Sequence, residues 1–340
     1  MTSASRSELL EELFTFHGVN ISISSDSPWI LGVLHNTLRH FPSVDGAEPD
    51  ISFTYKFAPD IESHWVQRPD GRERVVYEPL LGQLAMIEDK LYMNYGERGR
   101  LLCDPERGRV DVSILESEAD DEWLVTHPMF LPAFHELLKR RGLYSLHASA
   151  LSVGGNGVLF PGTSGSGKST MAIGLMKEGF DFLGDDTVFL AGSDEGLDVL
   201  AFPDVIDFTD RTAELFPELG RADSTPRNPI THKRQARAEE VFNVGFTPKC
   251  RPKLLVFPRV SGNSRSVLEP MDKDDALEEQ APNVLLTEAS SSQKHLDVLA
   301  ELVKSTDTYR LETGTDFAYL ADLLRDMLAR PQPRPDSRQE

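Results

Sequence analysis

Apolar and polar residues alternate along several stretches of the first third of the chain, as they do in half-buried β-strands. Turn sequences such as Gly96-Glu97-Arg98-Gly99 separate these stretches. Residues 8–17 and 27–41 instead carry apolar residues at helical spacing, and Ser25 and Asp26 are candidate caps for the second. The pattern predicts an α+β region with a meander, whose strands cover residues 19–23, 51–57, 74–80, 83–87, 90–95, 100–103 and 109–115.

An acidic run at residues 116–122 interrupts this pattern and indicates a solvated link. We therefore predict an α+β N-terminal domain over residues 1–120 and a second domain over residues 121–330. Residues 331–340 are rich in proline and arginine, which predicts a disordered tail.

The second domain shows strand and helix signals in turn. An amphipathic helix is predicted at 123–141, followed by a strand at 143–153 and a hairpin turn at Gly154-Gly155-Asn156-Gly157. Later signals predict mixed structure, with strands at 199–202, 253–260 and 308–311 and helices at 210–219, 292–304 and 316–328.

Residues 162–169 match G-x-x-x-x-G-K-[ST], the phosphate-binding P-loop motif. A strand signal at 158–160 precedes the motif and a helix signal at 171–176 follows it, which is the setting that the motif requires. Glycines recur in such a loop because its backbone N–H groups wrap a polyphosphate at φ angles that other residues resist. The motif predicts a nucleotide site formed by Gly162, Thr163, Ser164, Gly165, Ser166, Gly167, Lys168, Ser169 and Thr170.

Two residues of this loop have distinct predicted roles. Lys168 would place a positive charge at the β- and γ-phosphates of ATP, and Ser169 would offer a hydroxyl to Mg²⁺. The alternative interpretation is a glycine-rich turn that binds no ligand.

Asp185 and Asp186 follow an apolar stretch, where a strand is expected to end. In P-loop proteins the end of the neighbouring strand lies beside the phosphates, so carboxylates there can hold Mg²⁺ or accept a proton from an attacking hydroxyl. The alternative is a polar turn, since Gly-Asp-Asp is favourable turn chemistry.

Composition limits the classes of partner. The chain has 340 residues, of which 39% are hydrophobic, and a formal net charge of −20. This charge argues against general binding to nucleic acid or to anionic membranes. No signal sequence and no apolar run of about 18 residues is apparent, and Cys103 and Cys250 suit neither a disulfide framework nor a zinc site. We therefore expect a cytoplasmic protein.

Two further groups of residues leave alternatives open. His17, His35, His40 and His64 are scattered, which favours surface or packing roles over a metal site. Residues 227–237 form a basic island in an acidic chain, with Arg227, His232, Lys233, Arg234 and Arg237. The island is either a clamp for phosphate or an acidic substrate, or a surface loop that balances neighbouring acids.

The stretch from about residue 143 to 190 resembles the catalytic core of HPr kinase/phosphorylase and related kinases. The matching segments are Leu146-His147-Ala148-Ser149-Ala150, the P-loop with the strand before it, and Gly184-Asp185-Asp186. The resemblance implies an α/β P-loop kinase core of the HPr kinase/phosphoenolpyruvate carboxykinase type. It also implies that Asp185 is the acid/base on the acceptor hydroxyl, that Asp186 supports it and the metal, and that His147 lies beside the transferred phosphate.

The resemblance implies an ATP- and Mg²⁺-dependent kinase that phosphorylates a hydroxyl, foremost a serine of a protein or peptide. The family's downstream signature, an acidic residue followed by Arg-Gly-Leu-Gly, is absent, which argues against phosphorylase activity. The N-terminal region does not match the family's own N-terminal domain, and stand-alone kinases that phosphorylate a lasso-peptide precursor look closer in architecture. The alternatives are a nucleotide-binding sensor or switch ATPase and a kinase of a small-molecule hydroxyl. The sequence does not decide between ATP, GTP and pyrophosphate as donor, or whether the chain forms a homo-oligomer, as the hexameric HPr enzymes do.

Overall fold

The computed structural model of this chain describes residues 9–61, 74–77, 82–222, 227–281 and 289–331. The chain divides into two compact units, Met1–Leu143 with Leu286–Gln293, and Tyr144–Leu285 with Lys294–Glu340. Both units are mixed structures of helices and strands. Almost all of the predicted tail, residues 332–340, lies outside the described residues.

The first unit is built on an eight-stranded sheet. Its strands are β1 (Leu10–Phe16), β2 (Val19–Ser25), β3 (Ile51–Ala58), β4 (Arg74–Tyr77), β5 (Gln83–Ile87), β6 (Lys90–Tyr95), β7 (Gly99–Asp104) and β8 (Arg109–Leu115). Its helices are α1 (Pro28–Thr37), α2 (Glu122–Thr126) and α3 (Leu131–Lys139), with a 3₁₀ turn at Glu116–Glu118. The strand order is β1-β2-β3-β8-β7-β6-β5-β4, and β3 is parallel to both of its neighbours. The meander from β4 to β8 confirms the predicted strands, apart from residues 78–80, which lie outside the described residues. Burial alternates along β6, β7 and β8, as predicted, but not along β5.

The predicted helix at residues 8–17 is wrong, because this segment forms strand β1 from residue 10 onward. β1 pairs antiparallel with β2 through a turn at His17 and Gly18, whose φ angles are 46° and 87°. Such left-handed turns suit the twist of a two-residue hairpin. Phe14 and Phe16 are buried on one face, so strand burial outweighs the local helical spacing.

The predicted helix at residues 123–141 is two helices, α2 and α3. Pro132 occupies the first turn of α3, where its missing N–H is no loss. The aromatic side chains of α3 and of the residue before it pack in the first unit: the ring centroids of Phe134 and Phe16 lie 5.0 Å apart, as do those of Phe130 and Phe53. The boundary between the two units therefore falls after residue 143, later than the boundary predicted near residue 120.

The second unit holds a nine-stranded sheet and a two-stranded one. The strands are β9 (Tyr144–Leu146), β10 (Ala148–Val153), β11 (Asn156–Pro161), β12 (Asp181–Gly184), β13 (Val188–Ser193), β14 (Gly196–Leu200), β15 (Val205–Phe208), β16 (Arg234–Arg237), β17 (Lys249–Val260), β18 (Val267–Pro270) and β19 (Asp307–Thr313). The helices are α4 (Lys168–Lys177), α5 (Asp210–Leu215), α6 (Ala238–Val241), α7 (Lys273–Gln280), α8 (Ala289–Ser305) and α9 (Phe317–Ala329), with a 3₁₀ segment at Pro217–Ala222. The division into units places the residues of α8 up to Gln293 in the first unit.

Strand β17 is the centre of the large sheet. It pairs parallel with β11 on one side and with β19 on the other, and its first residues pair antiparallel with β14. β11 is buried on both faces: Val158 and Phe160 belong to the apolar core that α4 and α9 cover, and Leu159 belongs to the core on the opposite face. Because β11 is covered on both faces, its sequence is the continuous apolar run Val158-Leu159-Phe160-Pro161 instead of an alternating one.

The predicted hairpin turn after residue 153 is confirmed, because Val153 and Asn156 are paired on either side of Gly154 and Gly155. The predicted strand at 143–153 is instead interrupted at His147, between β9 and β10. Within the described residues, no helix combines the length and the apolar character needed to cross a membrane.

Replacing either of two helical glycines with alanine should change the stability of the protein, in opposite directions for the two positions. A Cβ on Gly174 of α4 would overlap the ring of Phe317 at the start of α9, whereas a Cβ on Gly32 of α1 would meet no atom within 4 Å. We expect Gly32→Ala to stabilise its unit by about 0.5–1 kcal/mol through helix propensity. Gly174→Ala should destabilise its unit by about 1–3 kcal/mol through overpacking.

Differential scanning calorimetry of the whole chain would measure both changes. If Gly174→Ala raised the melting temperature as Gly32→Ala does, the close packing of α4 on Phe317 would be disproved. Combining Gly174→Ala with Phe317→Leu should recover part of the loss.

Candidate functional site

The P-loop motif lies between β11 and α4, in the strand-loop-helix setting predicted for it. Gly162, Gly165 and Gly167 have φ angles of 144°, 87° and 107°, which side-chain-bearing residues rarely adopt. A Cβ on Gly162 would also approach the Ser166 hydroxyl to 2.8 Å. The glycines therefore permit a tight loop that leads directly into the N-terminus of α4, an end that attracts anions.

Strand pairing brings the other predicted site residues to this loop. β9 pairs with β13, and β10 pairs with β12. Two short segments therefore cross side by side from one pair of strands to the other: one joins β9 to β10, and the other joins β12 to β13. Leu146 pairs with Val188 on one side of the crossing, and Ala150 pairs with Gly184 on the other. His147 lies in the first crossing segment, and Asp185 with Asp186 lies in the second.

The same arrangement explains why the crossing lies beside the P-loop. Ala148, directly after His147, pairs with Pro161, directly before Gly162. The register of the β10–β11 hairpin therefore sets His147 next to the first residue of the loop. The structure brings together His147, Lys168, Asp185 and Asp186, all of which the sequence singled out.

Asp185 is the most strongly perturbed acid of the site. Its side chain is buried, Ser149 donates a short hydrogen bond to its Oδ1, and its Oδ2 is buried with no hydrogen-bonding partner among the described residues. Burial, followed by the charge of Asp186, raises the pKa of Asp185 to about 7, against the opposing effects of the Ser149 and Ser169 hydroxyls and Lys168. A carboxyl group with such a pKa can hold or release a proton near neutral pH.

Asp186 is exposed where Asp185 is buried. Its φ angle is 65°, so this residue takes a left-handed conformation that aspartate tolerates better than most residues. Half of its side chain is exposed to solvent, at 50%. The Asp-Asp turn thus points one carboxylate into the protein and leaves the other accessible.

His147 links Asp186 to the P-loop lysine. Its Nδ1 lies 2.8 Å from the Asp186 carbonyl oxygen, and its Nε2 lies 3.2 Å from the Lys168 Nζ. Because the carbonyl can only accept and the ammonium can only donate, the ring carries its proton on Nδ1 and is neutral. Burial, followed by the charge of Lys168, lowers the pKa of His147, which agrees with this assignment.

Lys168 is held at the base of the loop. Its Nζ donates to the carbonyl oxygens of Gly162 and Thr163, at 2.7 and 3.3 Å, and its side chain is buried. Burial lowers the pKa of this ammonium, while Asp186 and Asp185 raise it. A buried cation whose donors now meet only backbone carbonyls and a neutral imidazole is available to an anionic ligand.

A cleft of about 290 Å³ is lined by Lys168 and Asp186, but not by His147 or Asp185. It is lined on one side by the P-loop and the start of α4, and on the other by α5 and the loops after β17 and β19. The lining residues that could meet a ligand's polar groups include Lys168, Ser169, Asp186, Thr209, Arg211, Lys233, Asn263 and Thr315.

The basic island does not act as one unit. Arg227 and Arg234 lie 3.3 and 3.9 Å from Asp210, and Arg237 lies 3.3 Å from Glu240. Lys233 instead reaches the P-loop, with its Nζ 3.4 Å from the Ser164 hydroxyl. The interpretation as a surface loop that balances neighbouring acids therefore agrees with the three arginines, and the clamp interpretation stays a prediction for Lys233.

The donor set suits a magnesium ion that is shared with a nucleotide. Among the described residues, no cluster of three or more histidine, cysteine, aspartate or glutamate side chains is arranged to hold a metal ion. Mg²⁺ bound with a nucleotide needs only one or two carboxylates, a hydroxyl and phosphate oxygens. Ser169 and Asp186 line the cleft, and the buried Oδ2 of Asp185 lacks a partner, so these three residues fit that requirement.

Sequence reasoning gave no role to two residues of this site. Ser149, which is fully buried, fixes one oxygen of Asp185. Its only signal in the sequence was its place in the segment Leu146-His147-Ala148-Ser149-Ala150, and strand alternation there gives no hint of a partner. Lys233 was one of several basic residues, and nothing in the sequence separated it from the others.

Comparisons with known proteins give little further information. No protein-family model matches the chain. No curated protein matches it. Among solved structures, it is similar to the HPr(Ser) kinase/phosphatase from Coxiella burnetii at 12% sequence identity, with a TM-score of 0.29, over 54% of this chain and 93% of that chain. This is a distant structural similarity.

The buried Asp185 should make the protein less stable as the pH rises. Its pKa is about 7 in the folded state and about 3.9 in an unfolded chain. Between these values the folded state binds more protons than the unfolded state. The free energy of unfolding therefore falls with rising pH, and the full cost of the buried charge is present above pH 7. Asp185→Asn removes the penalty, and we expect it to raise the melting temperature at pH 8 by several degrees and at pH 5 by less.

Thermal unfolding of both proteins at the two pH values would measure this difference. Asp194→Asn, at an exposed loop position, is the control and should change neither temperature. An Asp185→Asn protein that is less stable than the wild type at pH 8 would contradict the burial of a costly carboxylate here.

Proposed function

We propose that this protein is an ATP- and Mg²⁺-dependent kinase that transfers the γ-phosphoryl group to a hydroxyl, foremost a serine of a protein or peptide. The observation that carries the proposal is the convergence of a P-loop lysine with a buried carboxyl group whose pKa is about 7. Nucleotide binding alone requires the loop and the lysine. It does not require a carboxyl group that can exchange a proton near neutral pH, whereas a general base for transfer to a hydroxyl would be such a group.

The proposed reaction forms a bond between the acceptor oxygen and the γ-phosphorus and breaks the bond from that phosphorus to the β–γ bridging oxygen. The acceptor proton passes to Asp185, and the electron pair of the broken bond stays on the departing nucleoside diphosphate. Lys168 and the N–H groups of the P-loop would stabilise the charge on the phosphate oxygens. Because such transition states are loose, positioning of these groups contributes most of the catalysis.

His147 would keep Lys168 in place without adding a competing charge. As a neutral ring that accepts from the Lys168 Nζ and donates to the Asp186 carbonyl, it holds the ammonium and the Asp-Asp turn at a fixed separation. Mg²⁺, held by Ser169 and Asp186, would neutralise charge on the phosphate oxygens.

The exposure of the two aspartates supports a second division of roles. Asp186 is half exposed and lines the cleft, so an acceptor hydroxyl can reach it directly. Asp185 offers a single free oxygen, which faces inward with the Ser169 hydroxyl nearby. In this arrangement Asp186 would take the proton and Asp185 would face the metal.

Variants of the two aspartates and of the P-loop lysine test the proposal. Lys168→Ala should lower nucleotide affinity and abolish transfer, because the phosphates lose their buried cation. Asp185→Asn should retain Mg²⁺–ATP binding and lower the transfer rate by about 10²–10⁴-fold, the usual contribution of a general base. Calorimetric titration with Mg²⁺–ATP measures binding, and incorporation of label from [γ-³²P]ATP into serine-containing peptides measures transfer.

Asp186→Asn is the matched variant in this experiment. If it loses transfer while Asp185→Asn keeps it, Asp186 is the base and Asp185 has the other role. Full transfer activity in Lys168→Ala would overturn the proposal that transfer takes place at the P-loop site. Release of free phosphate with no labelled acceptor in any mixture would favour a switch ATPase, and label found only on small hydroxyl compounds would favour a small-molecule kinase.

A further inference from the structure

We propose that Lys233 is a second phosphate-binding cation, which meets the terminal phosphate of the nucleotide from the side of the cleft opposite Lys168. The inference rests on the proposed binding of a nucleoside triphosphate and adds to it a residue outside the P-loop motif. Lys233 lies about 65 residues after Lys168 in the chain, immediately before β16.

Lys233 faces the P-loop directly. Its Nζ lies 3.4 Å from the hydroxyl of Ser164, and both Lys233 and Lys168 line the same cleft. The contact is long for a hydrogen bond between an ammonium and a hydroxyl, so it holds the side chain only weakly. A phosphate oxygen is a stronger acceptor than this hydroxyl and would replace it.

The segment that presents Lys233 is built to a fixed shape. Asn228 is buried and accepts from the N–H groups of Ile230 and Thr231, each at 3.0 Å, while its own N–H donates to the Lys233 carbonyl at 2.9 Å. Arg227 donates to the carbonyl of His232 at 2.9 Å. The backbone of Lys233 is therefore ordered before any ligand arrives, which lowers the entropy cost of binding.

Lys233 differs from the arginines of the basic island in its ion pairs. Arg227, Arg234 and Arg237 each lie within 4 Å of a carboxylate. Lys233 forms no ion pair with any residue that the structure describes. Since the chain carries a net charge of −20, a cation left without a carboxylate inside a cleft is available for an anion.

The charge of Lys233 acts on the same end of the cleft as Lys168. Burial is the main cause that lowers the pKa of Lys168 and of His147, and the charge of Lys233 lowers both further. Two cations that repel each other across a cleft are both stabilised by an anion between them. Of the two phosphates that the P-loop lysine reaches, the β- and the γ-phosphate, Lys233 would meet the terminal one, which the diphosphate product lacks.

Nucleotide affinities of single variants test this assignment. Calorimetric titration with Mg²⁺–AMPPNP and with Mg²⁺–ADP would be carried out on the wild type, Lys233→Met, Lys233→Arg and Arg237→Met. We expect Lys233→Met to weaken AMPPNP binding about tenfold and ADP binding less than about twofold, since only the triphosphate meets this side chain. Lys233→Arg should restore most of the loss, and Arg237→Met, from the same island but outside the cleft, should change neither affinity.

The outcomes distinguish this inference from the function on which it rests. If Lys233→Met weakened the binding of both nucleotides equally, or of neither, the role of Lys233 would be overturned while the kinase proposal stands. Unchanged nucleotide affinities with a raised KM for the acceptor would assign Lys233 to the acceptor and also overturn it. If the wild type bound neither nucleotide, the role of Lys233 and the kinase proposal would both be overturned. Thermal melting of each variant shows that a loss of affinity does not come from unfolding.

Discussion

The buried carboxylate of Asp185 is the feature on which the arrangement of the site depends. Removing a carboxylate from water is costly unless hydrogen bonds and opposite charges compensate. Here the Ser149 hydroxyl satisfies one oxygen, and the Ser169 hydroxyl and Lys168 lie close enough to oppose the rise in the pKa of Asp185. The second oxygen has no hydrogen-bonding partner in the part of the chain that the structure describes. The site therefore retains an unfavourable interaction in the folded state, as proteins do where chemistry requires it.

Neighbouring groups limit this cost without removing it. The ammonium of Lys168 is held by two backbone carbonyls and a neutral imidazole, none of which cancels its charge. His147 in turn is fixed by the carbonyl of Asp186, so the lysine, the histidine and the Asp-Asp turn form a single connected network. Such a network specifies one geometry, because moving any member leaves another buried group unsatisfied.

The charge distribution follows from the same requirement. A protein with a net charge of −20 repels polyphosphate at long range, so an anion site needs local cations that are not neutralised by the surrounding acids. In the proposed site, Lys168 would meet this need by burial, and Lys233 would meet it by its position on an ordered segment beside the P-loop. The arginines around Lys233 lie beside acids and stabilise the fold of that segment instead.

The sequence by itself determined the P-loop motif, the hairpin before it and most of the strands, because these depend on local patterns such as alternation and glycine at positive φ. Local pattern was insufficient at residues 8–17, where pairing with β2 produced a strand in place of the predicted helix. It was also insufficient at His147, where one predicted strand became two. Only the tertiary structure decided that this break lies beside the Asp-Asp turn, that Ser149 satisfies Asp185 and that Lys233 faces the P-loop. These contacts join residues 36 to 69 positions apart, and strand register, which no local pattern encodes, sets which of them meet.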